Sequence, residues 1–170
     1  TALLVIDVQE RLVPHITDYP SVVWNIRRLI DAARILGVKI VGTEQYPKGL
    51  GHTNAELVKA FPAGAVVEKL HFSCASAQCL TGLPGNERPQ VVVCGMESHV
   101  CVLQTVVELR GQGKQVVLVE KRPYLGGRVS QLYKYFPKLC FPTCGLEINQ
   151  RRAKMNPNLR VLTMAEVTGI

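Results

Sequence analysis

The chain has 170 residues, 47% hydrophobic and 19% charged, with 20 Lys and Arg against 13 Asp and Glu for a formal net charge of +7. That length buries a full core, so one domain over residues 1–170 is expected, and no apolar run reaches the ~18 residues of a membrane span. Lys121-Arg122 and Arg151-Arg152 lie in no nucleic-acid motif with interleaved aromatics, so neither nucleic acid nor a membrane is an expected partner.

Residues 2–6 read as a buried strand that ends at Asp7. Ser21 then reads as the cap of a helix whose apolar face is Val22, Ile26, Leu29, Ile30, Ala33 and Leu36, closed by Gly37. Residues 38–42 give a second strand, and residues 43–53, rich in Gly and Pro, a loop at its carboxyl end. A third strand over residues 66–68 ends at Lys69. A short helix is expected over 74–81, a fourth strand over 90–94, a helix over 98–110 and a fifth strand over 115–119. Beyond Glu120 the pattern weakens: residues 121–127 are turn-rich, and Pro137, Pro142 and Gly145 interrupt any long helix. Residues 159–162 read as a sixth strand.

Short apolar strands alternating with helices predict a three-layer α/β/α sandwich around a mostly parallel, six-stranded, Rossmann-like sheet. In such a fold Asp7, Lys69 and the turn after the fourth strand all reach the carboxyl edge of the sheet, where open α/β proteins bind ligands. That turn leads into a helix carrying Cys101. A thiol near a helix amino terminus, with backbone N–H groups lacking intrahelical partners and a lysine in reach, is expected to favour a thiolate.

The remaining polar residues are less informative. Six cysteines without a visible secretory signal read as reduced thiols, and neither the Cys74/Cys79 nor the Cys140/Cys144 spacing forms a paired C-x₂-C zinc pattern. Cys94 sits in a valine run as a small core residue. His99 is a poor base for Cys101, because side chains two positions apart on a helix diverge. Gln9, Glu10, Tyr46, His71 and Phe72 are candidates to line a pocket, whereas Trp24 reads as core. The chain starts directly on a strand at Thr1, so a targeting segment is out of view; localisation stays open, with cytoplasm or mitochondrion expected.

Leu4-Val5-Ile6-Asp7-Val8-Gln9, Glu68-Lys69-Leu70-His71-Phe72-Ser73 and Cys94-Gly95-Met96-Glu97-Ser98-His99-Val100-Cys101 resemble the three signature segments of the isochorismatase-like cysteine hydrolases. The segment Thr43-Glu44-Gln45-Tyr46-Pro47-Lys48-Gly49-Leu50-Gly51 is similar to a loop of the eukaryotic isochorismatase domain-containing branch, and the resemblance covers residues 2–120. It implies an Asp7–Lys69–Cys101 triad acting on a C–N bond of a small amide, imide or ureide through a thioester. The backbone N–H groups of Glu97 and Cys101 would form the oxyanion hole, and the Met96–Glu97 peptide would be cis. It also implies a homo-oligomer with a small-molecule substrate.

Two departures from the family pattern matter. Nicotinamidases carry an Asp-x-His metal pair where this chain has Glu44-Gln45-Tyr46, so no metal and no other cofactor is expected, with His52 and His71 as polar loop residues or substrate contacts. Glu120-Lys121-Arg122-Pro123-Tyr124 replaces the family's aspartate–alanine turn after the fifth strand. The competing reading is a catalytically silent or RNA-associated, ribonuclease-like scaffold of the same fold. Scattered His15, His52, His71 and His99 offer no ribonuclease constellation.

Overall fold

Ala2–Ile6 forms β1, five apolar residues all buried, and the first sheet is built around it. The computed structural model describes residues 1–75, 90–127, 129–134, 139 and 141–166. The chain divides into two compact units, Thr1–Lys114 and Gln115–Ile170.

In the first unit β1 is followed by α1 (Tyr19–Ile35), β2 (Lys39–Gln45), two short helices α2 (Pro47–Leu50) and α3 (Ala55–Val58), β3 (Val66–Lys69), β4 (Val91–Gly95) and α4 (Cys101–Gly111). The strands lie in the order β3-β2-β1-β4, all parallel. Strand alternation sends side chains to two cores. Leu3, Val5 and Ile40 pack with Val23, Ile26 and Ile30 of α1 and Leu57 of α3, while Ala2, Leu4, Ile6 and Val41 pack with Cys101 and Leu109 of α4. This is the expected α/β/α layering.

Several boundaries differ from expectation for identifiable reasons. Helix α1 begins two residues before Ser21: Asp18, left-handed at φ 56°, precedes it without capping by its side chain, and the Ser21 hydroxyl instead donates to Asp18 Oδ1 at 3.0 Å. Packing fixes this helix, since each fully buried aliphatic side chain such as Ile30 is worth about 1.5–3 kcal/mol. Strand β2 runs three residues past its expected end, because Thr43, Glu44 and Gln45 pair with Ile6, Glu68 and Lys69. Helix α4 starts at Cys101, not at residue 98; residues 98–100 are turn. The helix expected over 74–81 lies almost wholly outside the described residues.

The second unit contains β5 (Val116–Glu120), α5 (Thr143–Met155) and β6 (Leu159–Thr163). β5 and β6 pair with each other in parallel, so among the described residues the strands form a four-stranded and a two-stranded sheet where one of six was expected. The expectation that prolines and Gly145 preclude a long helix here is corrected: Pro142 directly precedes α5, where its fixed φ suits a helix start, and Gly145 is carried inside. Among the described residues no helix is long and apolar enough to cross a membrane.

One glycine governs how the end of β4 meets β1. Gly95 adopts φ 129°, and a Cβ there would overlap the Ile6 carbonyl oxygen. Its absence lets the Met96 N–H donate to that oxygen at 2.8 Å. Gly95→Ala is expected to lower unfolding stability by about 1–3 kcal/mol through the forced backbone shift, measured by urea denaturation.

Candidate functional site

Asp7 is the first residue beyond β1. It holds a left-handed backbone, φ 51°, while its N–H extends the ladder to the Thr43 carbonyl at 3.1 Å. Aspartate is among the few residues that visit this conformation readily. The carboxylate is fully buried. Its Oδ2 accepts from Lys69 Nζ at 2.6 Å and its Oδ1 accepts from the Thr43 hydroxyl at 2.7 Å. The Cys101 thiol lies within the electrostatic reach of the same carboxylate, which raises it.

Lys69, the last residue of β3, has a side chain only 1% exposed. Besides Asp7, its ammonium donates to Gln45 Oε1 at 2.8 Å and to the Phe72 carbonyl at 3.3 Å. Three acceptors match the three N–H bonds of an ammonium, so the cation acts where it stands. Gln45 is itself pinned: its Nε2 donates to the Leu70 carbonyl, and its backbone N–H donates to Gln9 Oε1 at 2.7 Å.

Cys101 is the first residue of α4 and 7% exposed. Burial, then the hydrogen bond to Asp7 and its negative charge, push the thiol up to about 12, and the Lys69 charge offsets this only in part. Desolvation and the nearby carboxylate thus oppose the thiolate that the cation and the helix end favour. The Met96–Glu97 peptide in the preceding turn is cis.

The pocket candidates separate. Gln9 is fully buried, and its amide group is consumed by the Gln45 carbonyl and N–H and by the Gly51 carbonyl, so its side chain acts as a strand partner for the end of β2. Tyr46 and Phe72 are half exposed, and His71 and Glu10 are exposed. Trp24, expected in the core, is 59% exposed with the Arg28 guanidinium 4.7 Å from its ring centroid. Its position falls outside the buried stripe of Val23, Ile26, Ile30 and Ala33 on α1.

Sequence reasoning missed Thr43, Gln45 and Cys74. Cys74 is fully buried with its Sγ 3.7 Å from Thr43 Oγ1, and its backbone N–H donates at 3.0 Å to the Thr105 hydroxyl, which donates to the Cys101 carbonyl. Ser73, bonded to Glu108, fastens the same segment to α4. The available signal was the polar alternation of Thr43 and Gln45, two residues apart and hence on one face of a strand.

Glu44, between them, belongs to the other face. Its Oε1 accepts from the Thr53 N–H and hydroxyl at 2.6 and 2.7 Å, and its Oε2 lies 3.0 Å from His52 Nδ1. Both oxygens are taken, Gln45 faces Lys69, and among the described residues no three His, Cys, Asp or Glu side chains converge to hold a metal. The donor set does not fit the metal centre of nicotinamidases. Burial raises Glu44, but the bonds from Thr53 and His52 more than offset it and leave the carboxyl below its ordinary value. The hydrogen bond and charge of Glu44 raise exposed His52.

Two expectations follow from this geometry. Lys69→Met leaves the Asp7 charge buried and uncompensated and is expected to cost about 3–5 kcal/mol of unfolding stability, with much of the loss recovered in the Asp7→Asn/Lys69→Met double variant, as read by urea denaturation. A lowered carboxyl stabilises the fold above its unfolded value and loses this as pH falls through its folded value; a raised imidazole stabilises below its unfolded value and loses this as pH rises through its folded value. The Glu44–His52 pair is therefore fully formed between about 4.5 and 6.5, and NMR titration of His52 should give a midpoint above 6.5 that falls back in Glu44→Gln.

Comparison with known proteins identifies the family of the chain. "Isochorismatase domain-containing protein 1" of Danio rerio is 40% identical over 116 residues, 66% of this chain and 40% of that protein. "Isochorismatase domain-containing protein 2" of the same organism is 38% identical over 124 residues, 70% of this chain and 60% of that protein. The chain thus spans between 40% and 60% of the length of these curated relatives. The solved structure of MAR1 ribonuclease from Caenorhabditis elegans matches with a TM-score of 0.63 at 40% identity, covering 69% of this chain and 61% of that one. Residues 1–121 match the isochorismatase domain, and the chain belongs to the isochorismatase family.

Proposed function

We propose that this chain is a metal-independent cysteine hydrolase that cleaves a C–N bond of a small amide, imide or ureide. The observation that carries the reading is one buried carboxylate, Asp7, paired with the Lys69 ammonium at 2.6 Å and near enough to the Cys101 thiol to raise it.

With the Cys101 thiol raised by its surroundings, attack requires a base beside it. Asp7 accepts the Cys101 proton as Sγ bonds to the substrate carbonyl carbon, giving a tetrahedral oxyanion. Among the described residues the backbone N–H groups of Glu97 and Cys101 donate to no backbone acceptor. Both lie at the turn and are suited to hold that oxyanion. Collapse breaks the C–N bond while Asp7 returns the proton to the leaving nitrogen. Water then attacks the thioester carbon, giving its proton to Asp7, and the second collapse releases the acid and restores the thiol. Lys69, its donors filled, stabilises the carboxylate without touching substrate.

The ribonuclease name of the C. elegans neighbour belongs to that protein. Metal-free RNA cleavage needs a cation free to meet the phosphate, and Lys69 has none of its N–H bonds free for this.

The test is a panel of small carboxamides, imides and ureides scored by ammonia release. Turnover of at least one is expected, with Cys101→Ala and Asp7→Asn each lowering kcat by about 10²-fold or more and circular dichroism unchanged. An acyl adduct on the Cys101 peptide should trap the thioester. RNA degradation that survives Cys101→Ala, with no amide turned over, would overturn the reading.

A further inference from the structure

We propose that Thr43 is a positioning residue whose hydroxyl, anchored on Asp7 Oδ1, aims the carboxylate at Cys101. The inference rests on the reading of Asp7 as the base for Cys101.

A carboxylate on a short side chain is free to rotate about its terminal bond unless both oxygens are tied down. Lys69 fixes Oδ2 at 2.6 Å, and Thr43 fixes Oδ1 at 2.7 Å from the central part of the sheet. The two anchors come from different strands, β3 and β2, and together they set the carboxylate plane. A hydroxyl has one proton to give. With Asp7 ionised and paired to Lys69, that proton goes to Asp7, so the Cys74 thiol, 3.7 Å from Thr43 Oγ1, is the group that donates to the Thr43 lone pair. The hydroxyl is thereby held in one orientation, donating to the carboxylate and accepting from a thiol that is itself fully buried. Nothing else among the described hydrogen bonds engages Asp7 Oδ1. Thr43 therefore acts through Asp7 without contact with substrate.

The test reads the thiol directly and needs no substrate. Wild type, Thr43→Val, Thr43→Ser and Asp7→Asn are treated with iodoacetamide across neutral and mildly alkaline pH, and the rate is followed at the Cys101 peptide by mass spectrometry. Valine keeps the volume and the strand preference of threonine but lacks the hydroxyl. Because Asp7 raises the thiol and alkylation follows the thiolate, Thr43→Val is expected to speed Cys101 alkylation about tenfold at neutral pH, to shift its pH profile to the acid side, and to leave circular dichroism unchanged; Thr43→Ser restores most of the wild-type behaviour. If the valine variant does not fold, the same comparison is made with Thr43→Ala. Wild-type rates in Thr43→Val alongside a faster Asp7→Asn would overturn the role of Thr43 alone. A wild-type rate in Asp7→Asn would overturn the base reading on which it rests.

Discussion

The buried pair between Lys69 and Asp7 is the constraint around which the first unit is arranged. Its partners stand 62 residues apart in the chain and meet at 2.6 Å, with both side chains essentially without solvent contact. Burying two charges costs several kcal/mol per ion, and attraction alone does not repay that unless the remaining donors and acceptors are satisfied. The surroundings meet that condition: Gln45 Oε1 and the Phe72 carbonyl take the other ammonium protons, and Thr43 serves the second carboxylate oxygen. Parallel topology makes this arrangement accessible. β1 and β3 flank β2, and their carboxyl ends bring Asp7 and Lys69 to one edge with the polar end of β2 between them.

The same pair bears on the state of Cys101, the nucleophile of the proposed reaction. A helix amino terminus and a nearby ammonium favour a thiolate, whereas burial and a carboxylate in contact favour the thiol. Burial raises the Cys101 thiol most, the Asp7 charge adds to this, and the Lys69 charge, already paired with Asp7, opposes it only in part. A neutral nucleophile is less exposed to adventitious oxidation, because reactivity follows the thiolate, and it makes the base indispensable to turnover.

The apolar skeleton was legible in the sequence because it follows simple periods. β1 is an unbroken buried run, and α1 buries Val23, Ile26, Ile30 and Ala33 at helical spacing. Cys101, Asp7 and Lys69 were legible because each ends or follows such a strand. The polar end of β2 was not: Thr43, Glu44 and Gln45 carry no hydrophobic signal, and their place in the sheet depends on partners from β1 and β3 that only the assembled fold supplies. Gln9 misled for a related reason, since a glutamine replacing a strand's backbone partner has the same sequence appearance as one facing a pocket. Trp24 misled by composition alone, as aromatic size favours burial but an Arg28 guanidinium over the ring serves equally well at the surface.

Net charge carries a different lesson once the two units are distinguished. Residues 1–114 hold eleven Lys and Arg against ten Asp and Glu, while residues 115–170 hold nine against three, so nearly all of the basic excess lies outside the unit that bears Asp7, Lys69 and Cys101. Locally Asp7 and Lys69 are paired with each other, and Lys69 has no donor left for a further negative group. Within the proposed reaction a carboxylate or phosphate next to the scissile carbonyl would find no free donor on that ammonium. A neutral carboxamide needs none, and negative charge then appears only on the carbonyl oxygen during attack, on the side where backbone N–H groups are available to receive it.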